Sequence, residues 1–174
     1  MAQLQNKLKS AKHSFVRWVA PQGIHLTLKF LGSISRGKVD EVIMAMERAS
    51  QGISPFQLEF GDLGVFPDAR RPRVLWIGIG GEVEKLVILQ QRLEDALIPL
   101  GFARESRRFV PHLTLARIRE GTSLQERRSF GELVMASGLE AKYVINTGSI
   151  NLMRSQLTPT GAIYSCLAAT RLQD

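Results

Sequence analysis

The sequence predicts an α+β protein in which helices pack on one face of antiparallel sheets. Helical and strand periodicities alternate along the chain, yet several strands follow one another through short turns. Such turns join antiparallel neighbours, whereas a parallel pair needs a crossover. Size agrees: 174 residues, 44% hydrophobic and 22% charged, suit one domain with a sizeable core and exclude global disorder.

Each element has a local reason. Residues 2–12 place Leu4, Leu8 and Ala11 at helical spacing, a short amphipathic helix. Phe15 to Val19 reads as a strand and Ile24 to Leu31 as a stronger one, ended by Gly32. From Gly37 to Ser50, Val39, Val42, Ile43 and Met46 recur at helical intervals, with Gly52 just beyond. Phe56, Leu58 and Phe60 alternate with polar residues, as on a half-buried strand. Gly61 to Pro72 reads as turn-rich and leads into a strand from Val74 to Ile79. The clearest helix runs from Val83 to Leu100, with Leu86, Leu89, Leu93 and Leu97 on one face and Gly101 at its C′ position. Phe109 to Ile118 is the next strand, and a helix lies within Leu124 to Ala136, interrupted by Gly131. Three strands close the chain, at 140–146, 149–156 and 162–170, with a Thr158-Pro159-Thr160-Gly161 turn between the last two. Trp18 and Trp76 sit in apolar strands and read as core. His13, at the end of the first helix, reads as a surface or helix-terminal residue.

Composition narrows the function classes. No apolar run approaches the ~18 residues of a membrane span, and MAQLQNKLKSAKHS at the N-terminus lacks the apolar stretch of a signal peptide. The single cysteine, Cys166, leaves no disulfide framework and no Cys-rich metal site. A reducing cytoplasm is expected. With 23 Lys+Arg against 16 Asp+Glu the net charge is +7. Clusters at Arg70-Arg71-Pro72-Arg73, Arg104 to Arg108 and Arg127-Arg128 favour RNA, DNA or a phosphorylated substrate over a neutral metabolite.

The informative feature is a repeated tetrapeptide. His25-Leu26-Thr27-Leu28 and His112-Leu113-Thr114-Leu115 are identical, lie 87 residues apart, and hold two of only three histidines. A single His-x-Thr on a strand is usually structural; two such copies ask for a shared task. Strand alternation puts His25, Thr27 and Lys29 on one face, and His112 and Thr114 on one face of the second strand. If the two halves are related by a pseudo-twofold, the two pairs face each other across a cleft. Two such pairs suit displacement at phosphorus. A neutral imidazole takes a proton from the attacking oxygen and a protonated one gives a proton to the leaving oxygen. Threonine hydroxyls donate to the non-bridging oxygens, where charge accumulates. Two histidines without an Asp, Glu or Cys partner make a poor closed metal site, so no metal or other cofactor is expected.

In these residues the sequence resembles the two-histidine (2H) phosphoesterase superfamily, in its RNA 2′,3′-cyclic phosphodiesterase branch, also called 2′-5′ RNA ligase. The matching pieces are VRWVAPQGIHLTLKFLG (Val16 to Gly32), GVFPDARRPRVLWIG (Gly64 to Gly78) and RRFVPHLTLAR (Arg107 to Arg117), with a similar pattern from Ile150-Asn151-Leu152 to Gly161-Ala162-Ile163-Tyr164. The resemblance implies two pseudo-symmetric lobes of antiparallel sheet with outer helices, forming one bilobal domain whose central cleft is lined by the two HxTx strands. It implies hydrolysis of RNA 2′,3′-cyclic phosphate ends, including those of tRNA fragments, to 2′-phosphomonoesters; some members also join tRNA halves through a reversible 2′-5′ linkage. His25 would protonate the departing ribose 3′-oxygen and His112 activate water, or the reverse. Thr27 and Thr114 would bind phosphoryl oxygens, Arg117 would help with their charge, and Arg108 and Arg73 are candidates for RNA backbone contact.

Two features depart from the pattern. Arg117 follows His112 by five residues, so strict alternation sends it to the opposite face unless a bulge redirects it. Family members also begin with an apolar strand before the first helix, whereas this chain begins at the helix. A monomer of reduced stability or a strand-exchanged dimer is the corresponding expectation. Two other readings compete: an enzyme acting on small cyclic nucleotides or 2′-5′ oligonucleotides, and a non-catalytic RNA-binding module. A steep loss of affinity with salt marks a long polyanion, and binding unaffected by His25→Ala without turnover marks the module.

Overall fold

Side-chain periodicity places most elements, and the contacts of individual glycines and prolines adjust their ends. The computed structural model describes residue 5 and residues 13–138, 143–158 and 161–174. In chain order these contain β1 (Val16–Trp18), α1 (Val39–Ser50), β2 (Phe56–Phe66), β3 (Val74–Gly81), α2 (Val83–Leu97), β4 (His112–Ile118), α3 (Leu124–Ala136), β5 (Val144–Thr147), β6 (Ser149–Thr158) and β7 (Gly161–Arg171). Short 3-10 turns cover Pro21–Gly23, Arg36–Lys38 and Ile98–Leu100. The predicted helix at 2–12, residues 140–142 of the predicted strand, and the Pro159-Thr160 turn lie outside the described residues apart from Gln5. The class is α+β as expected, and the pairs β1–β4, β3–β4 and β6–β7 are antiparallel. No helix among the described residues is long and apolar enough to cross a membrane.

The chain forms two compact units. The first comprises Met1–Leu26, Glu59–Gly80 and Pro111–Tyr143. Its sheet has the order β1-β4-β3-β2. Leu75, Ile77, Leu113, Leu115 and Ala116 are buried from this sheet, and Phe130 and Val134 from α3. Ser123 caps α3: its hydroxyl accepts from the Glu126 N–H while the Glu126 carboxylate accepts from the Ser123 N–H, a capping box. Gly131 does not break α3. A Cβ at this position would collide with the Ala69 carbonyl, so glycine lets the helix press against that loop. Arg127 is part of the same junction, donating to the carbonyls of Thr122, Pro72 and Arg119. His13 is not a surface residue: its ring packs 5.0 Å from that of Phe15 and edge-on to Phe130.

The second unit comprises Thr27–Leu58, Gly81–Val110 and Val144–Asp174. α1 buries Val42, Ala45, Met46 and Ala49, and α2 buries Leu86, Leu89, Leu93 and Leu97. α1 packs on α2 and on β7. β6 and β7 form a long antiparallel hairpin from Ser149↔Arg171 to Thr158↔Gly161. The first residues of β2, Phe56–Leu58, belong here, and β5 lies beside β2.

Three expectations are corrected. The segment Ile24–Leu31, read as the stronger strand and as one wall of the cleft, is not a strand. It joins the sheet through one bridge, Leu26↔Leu113. No further residue of the segment pairs with β4 in a ladder. Lys29 does not share a reactive face with His25. Its amine lies 2.8 Å from the Glu94 carboxylate on α2 and donates to the Ala103 carbonyl at 2.6 Å, with side chains of Lys29 and Glu94 only 7% and 4% exposed. The turn-rich reading of Gly61 to Pro72 is also shortened, because β2 runs on to Phe66. Gly64 serves packing: a Cβ there would collide with the Trp76 indole. At its other boundaries α2 yields to the 3-10 turn at Ile98, and Gly101 follows with φ 87°.

Two stability outcomes follow. Lys29→Met leaves Glu94 buried without its cation and lowers stability by about 3 kcal/mol, read as a lower urea midpoint at unchanged m. The Ser123 hydroxyl and then its N–H hold the Glu126 carboxyl below its ordinary value of 4.5. A depressed folded value stabilises fully above the unfolded one and is lost as pH falls through the folded one. Ser123→Ala therefore lowers Tm near pH ~7, and the gap to wild type narrows as pH falls towards ~3.

Candidate functional site

The site is built on β4. His112 opens the strand directly after Pro111, and Leu113 and Leu115 anchor it in the core, so His112 and Thr114 point to the other face. β3 lies alongside, pairing Trp76 with Thr114 and Gly78 with His112. Directly paired residues share a face, so Trp76 stands beside Thr114 and not in the core. Its indole lies over Gly64. Phe66 packs on Trp76 at 5.0 Å and meets the His112 ring edge-on at 5.1 Å, while Trp76 to His112 is 6.2 Å. Two aromatic walls thus hold the imidazole. The Trp76 Nε1 is buried without a hydrogen-bond partner among the described residues.

A bulge then turns Arg117 towards this face. Between Leu75↔Ala116 and Trp76↔Thr114 the register shifts by one, leaving Leu115 as the extra residue of β4. Leu115 and Ala116 are both fully buried, as expected when a bulge puts successive residues on one side. Alternation resumes with Arg117 exposed and Ile118 buried. The condition that spacing alone placed on Arg117 is met.

His25 reaches the same strand from the other edge. After β1 the chain makes the 3-10 turn Pro21–Gly23, closed by the Gly23 N–H on the Ala20 carbonyl at 2.8 Å. It rejoins β4 at Leu26↔Leu113. That bridge pairs the middle residues of the two His-Leu-Thr motifs. In its register His25 lies across from Thr114 and diagonal to His112, a separation of about 7–8 Å between Cα atoms. The His25 Nδ1 is 2.8 Å from the Gly23 carbonyl. A carbonyl only accepts, so Nδ1 carries the hydrogen and a neutral ring keeps its lone pair on Nε2.

The structure therefore brings His25, His112, Thr114 and Arg117 together in one unit. Thr27 and Arg108 belong to the second unit, and both are exposed. Among the described residues no group of three or more His, Cys, Asp or Glu side chains is gathered as for a metal ion. Sequence reasoning missed Trp76 and Phe66 as walls of the His112 site. The parity of Trp76 along β3 carried the signal: Leu75 and Ile77 are the buried positions and Trp76 lies between them.

Comparison with known proteins adds the family. The sequence model described as LigT like Phosphoesterase matches residues 1–76 and 78–164. The RNA 2′,3′-cyclic phosphodiesterase of Aquifex aeolicus is 36% identical over 154 residues, covering 86% of this chain and 78% of that protein. The RNA 2′,3′-cyclic phosphodiesterase of Methanothermobacter thermautotrophicus is 33% identical over 172 residues, 99% of this chain and 90% of that protein. In fold, the E. coli LigT structure complexed with 3′-AMP aligns with TM-score 0.74 at 24% identity, covering 100% of this chain and 94% of that one.

The aromatic wall makes one outcome specific. Gly64→Ala displaces the Trp76 indole and shifts the tryptophan fluorescence spectrum, whereas Gly80→Ala, in the next strand with open space around its Cα, leaves the spectrum unchanged.

Proposed function

The chain belongs to the LigT-like phosphoesterase family, and we propose on that premise that it hydrolyses the 2′,3′-cyclic phosphate at an RNA end to a 2′-phosphomonoester, with His25 and His112 as the acid–base pair. The observation that carries this reading is the Leu26↔Leu113 bridge, which sets the two His-Leu-Thr motifs side by side on one strand edge. A phosphoryl group between two diagonal imidazoles can be approached by one on each side.

The proposed step balances without a further reactant. Water attacks phosphorus in line with the bond to the ribose 3′-oxygen, and its proton passes to His112. The P–O3′ bond breaks, its electron pair stays on the 3′-oxygen, and that oxygen takes a proton from His25. The product is a 2′-phosphomonoester and a free 3′-hydroxyl. Thr114 donates to a non-bridging oxygen, and the Arg117 guanidinium offsets charge that builds on the phosphoryl group. Thr27 and Arg108 are proposed as phosphate contacts on motif and residue type alone. The basic clusters and the names of the relatives support RNA as the substrate class.

The test is a short RNA with a 2′,3′-cyclic end, followed by identification of the phosphate position in the product. A 2′-phosphate is expected; a 3′-phosphate or an unchanged end overturns the reading. His25→Ala and His112→Ala each lower kcat by roughly 10²–10⁴-fold, and the wild-type rate against pH is bell-shaped. A substrate with sulfur in place of the 3′-oxygen needs no proton on leaving, so it rescues the variant lacking the acid. Rescue of His112→Ala instead of His25→Ala reverses the two roles. Activity is expected to survive EDTA, and loss on chelation contradicts the mechanism.

A further inference from the structure

A 2′,3′-cyclic phosphate closes the 3′ end of an RNA, so the rest of that molecule extends to one side of the reacting phosphorus. The β4 face offers a track on one side. Beyond the bulge Arg117 is directly paired across β1 with Arg17. Their neighbours along each strand, Val16 and Ile118, are buried, so both arginines stand on the opposite, exposed face, which is the face of His112 and Thr114. On the other side of Arg117 the paired residue is Val74. The row Arg17–Arg117–Val74 therefore holds two guanidinium groups and no carboxylate. Two cations on neighbouring strands of the face that carries His112 suit a polyanion.

Resting on the phosphodiesterase reading, we infer that Arg17 binds the phosphodiester next to the cyclic end and makes the enzyme prefer an oligonucleotide over a mononucleotide. Directly paired Cα atoms of an antiparallel ladder lie about 4.5–5.5 Å apart. Two long arginine side chains from such positions can engage successive phosphates of one strand, Arg117 at the reacting group and Arg17 at its neighbour. Arg17 is a specificity residue in this account and takes no part in proton transfer.

The experiment compares kcat/KM for adenosine 2′,3′-cyclic phosphate and for a trinucleotide with the same cyclic end. In Arg17→Ala the trinucleotide-to-mononucleotide ratio falls about tenfold, through KM of the trinucleotide, and the dependence of its binding on salt loses about 0.7 in slope. Arg17→Lys keeps the charge and retains the ratio within about threefold. Lys85→Ala, whose side chain pairs with Glu82, leaves the ratio unchanged. An unchanged ratio in Arg17→Ala, or an equal loss on both substrates, overturns the inference. If wild type cleaves neither substrate, the phosphodiesterase reading fails separately. Binding of a labelled trinucleotide ending in a 2′-phosphate then decides on Arg17: weaker binding with a shallower salt slope supports its phosphate contact, and unaltered binding refutes it.

Discussion

The pairing of Leu26 with Leu113 is the constraint on which the candidate site depends. Leu113 is a core residue of β4, so its depth in the sheet is set by apolar packing. The bridge transfers that depth to Leu26 and so to the residue before it. Two leucines in one antiparallel register bring the two motifs together. The hydrophobic effect fixes the strand, and the strand's alternation aims the chemistry.

The periodic parts of the fold were legible in the sequence. The Leu86, Leu89, Leu93, Leu97 stripe and the alternation in β3 and β6 state their own burial, and the two His-x-Thr motifs name the reactive side chains. What was not legible depends on partners that periodicity does not contain. Ile24–Leu31 has the composition of a strand, yet it meets β4 at the single bridge Leu26↔Leu113. Lys29 looks like a surface cation until α2 supplies Glu94 beneath it. Gly61 and Gly64 carry the signature of turns, but both lie within β2, and Gly64 is a glycine because the adjacent strand brings an indole against it.

The bulge in β4 shows how a single extra residue changes what a motif can offer. With strict alternation the arginine five positions after His112 would enter the core at the cost of burying a guanidinium. Doubling the inward step at Leu115 and Ala116 spends two small or aliphatic residues on the core and returns the cation to the face of the imidazole. Spacing in sequence and neighbourhood in space thus disagree here for a definite reason, and sequence alone cannot tell a straight strand from a bulged one.

The bond from the His25 ring to the Gly23 carbonyl has a consequence for turnover. With Nδ1 donating to an oxygen that only accepts, proton exchange at this ring runs through Nε2. In the proposed cycle one imidazole ends with a proton too few and the other with one too many. His25 cannot correct its state by flipping without giving up its tether. It must be recharged at the same atom that reacted, on a residue that is exposed to water.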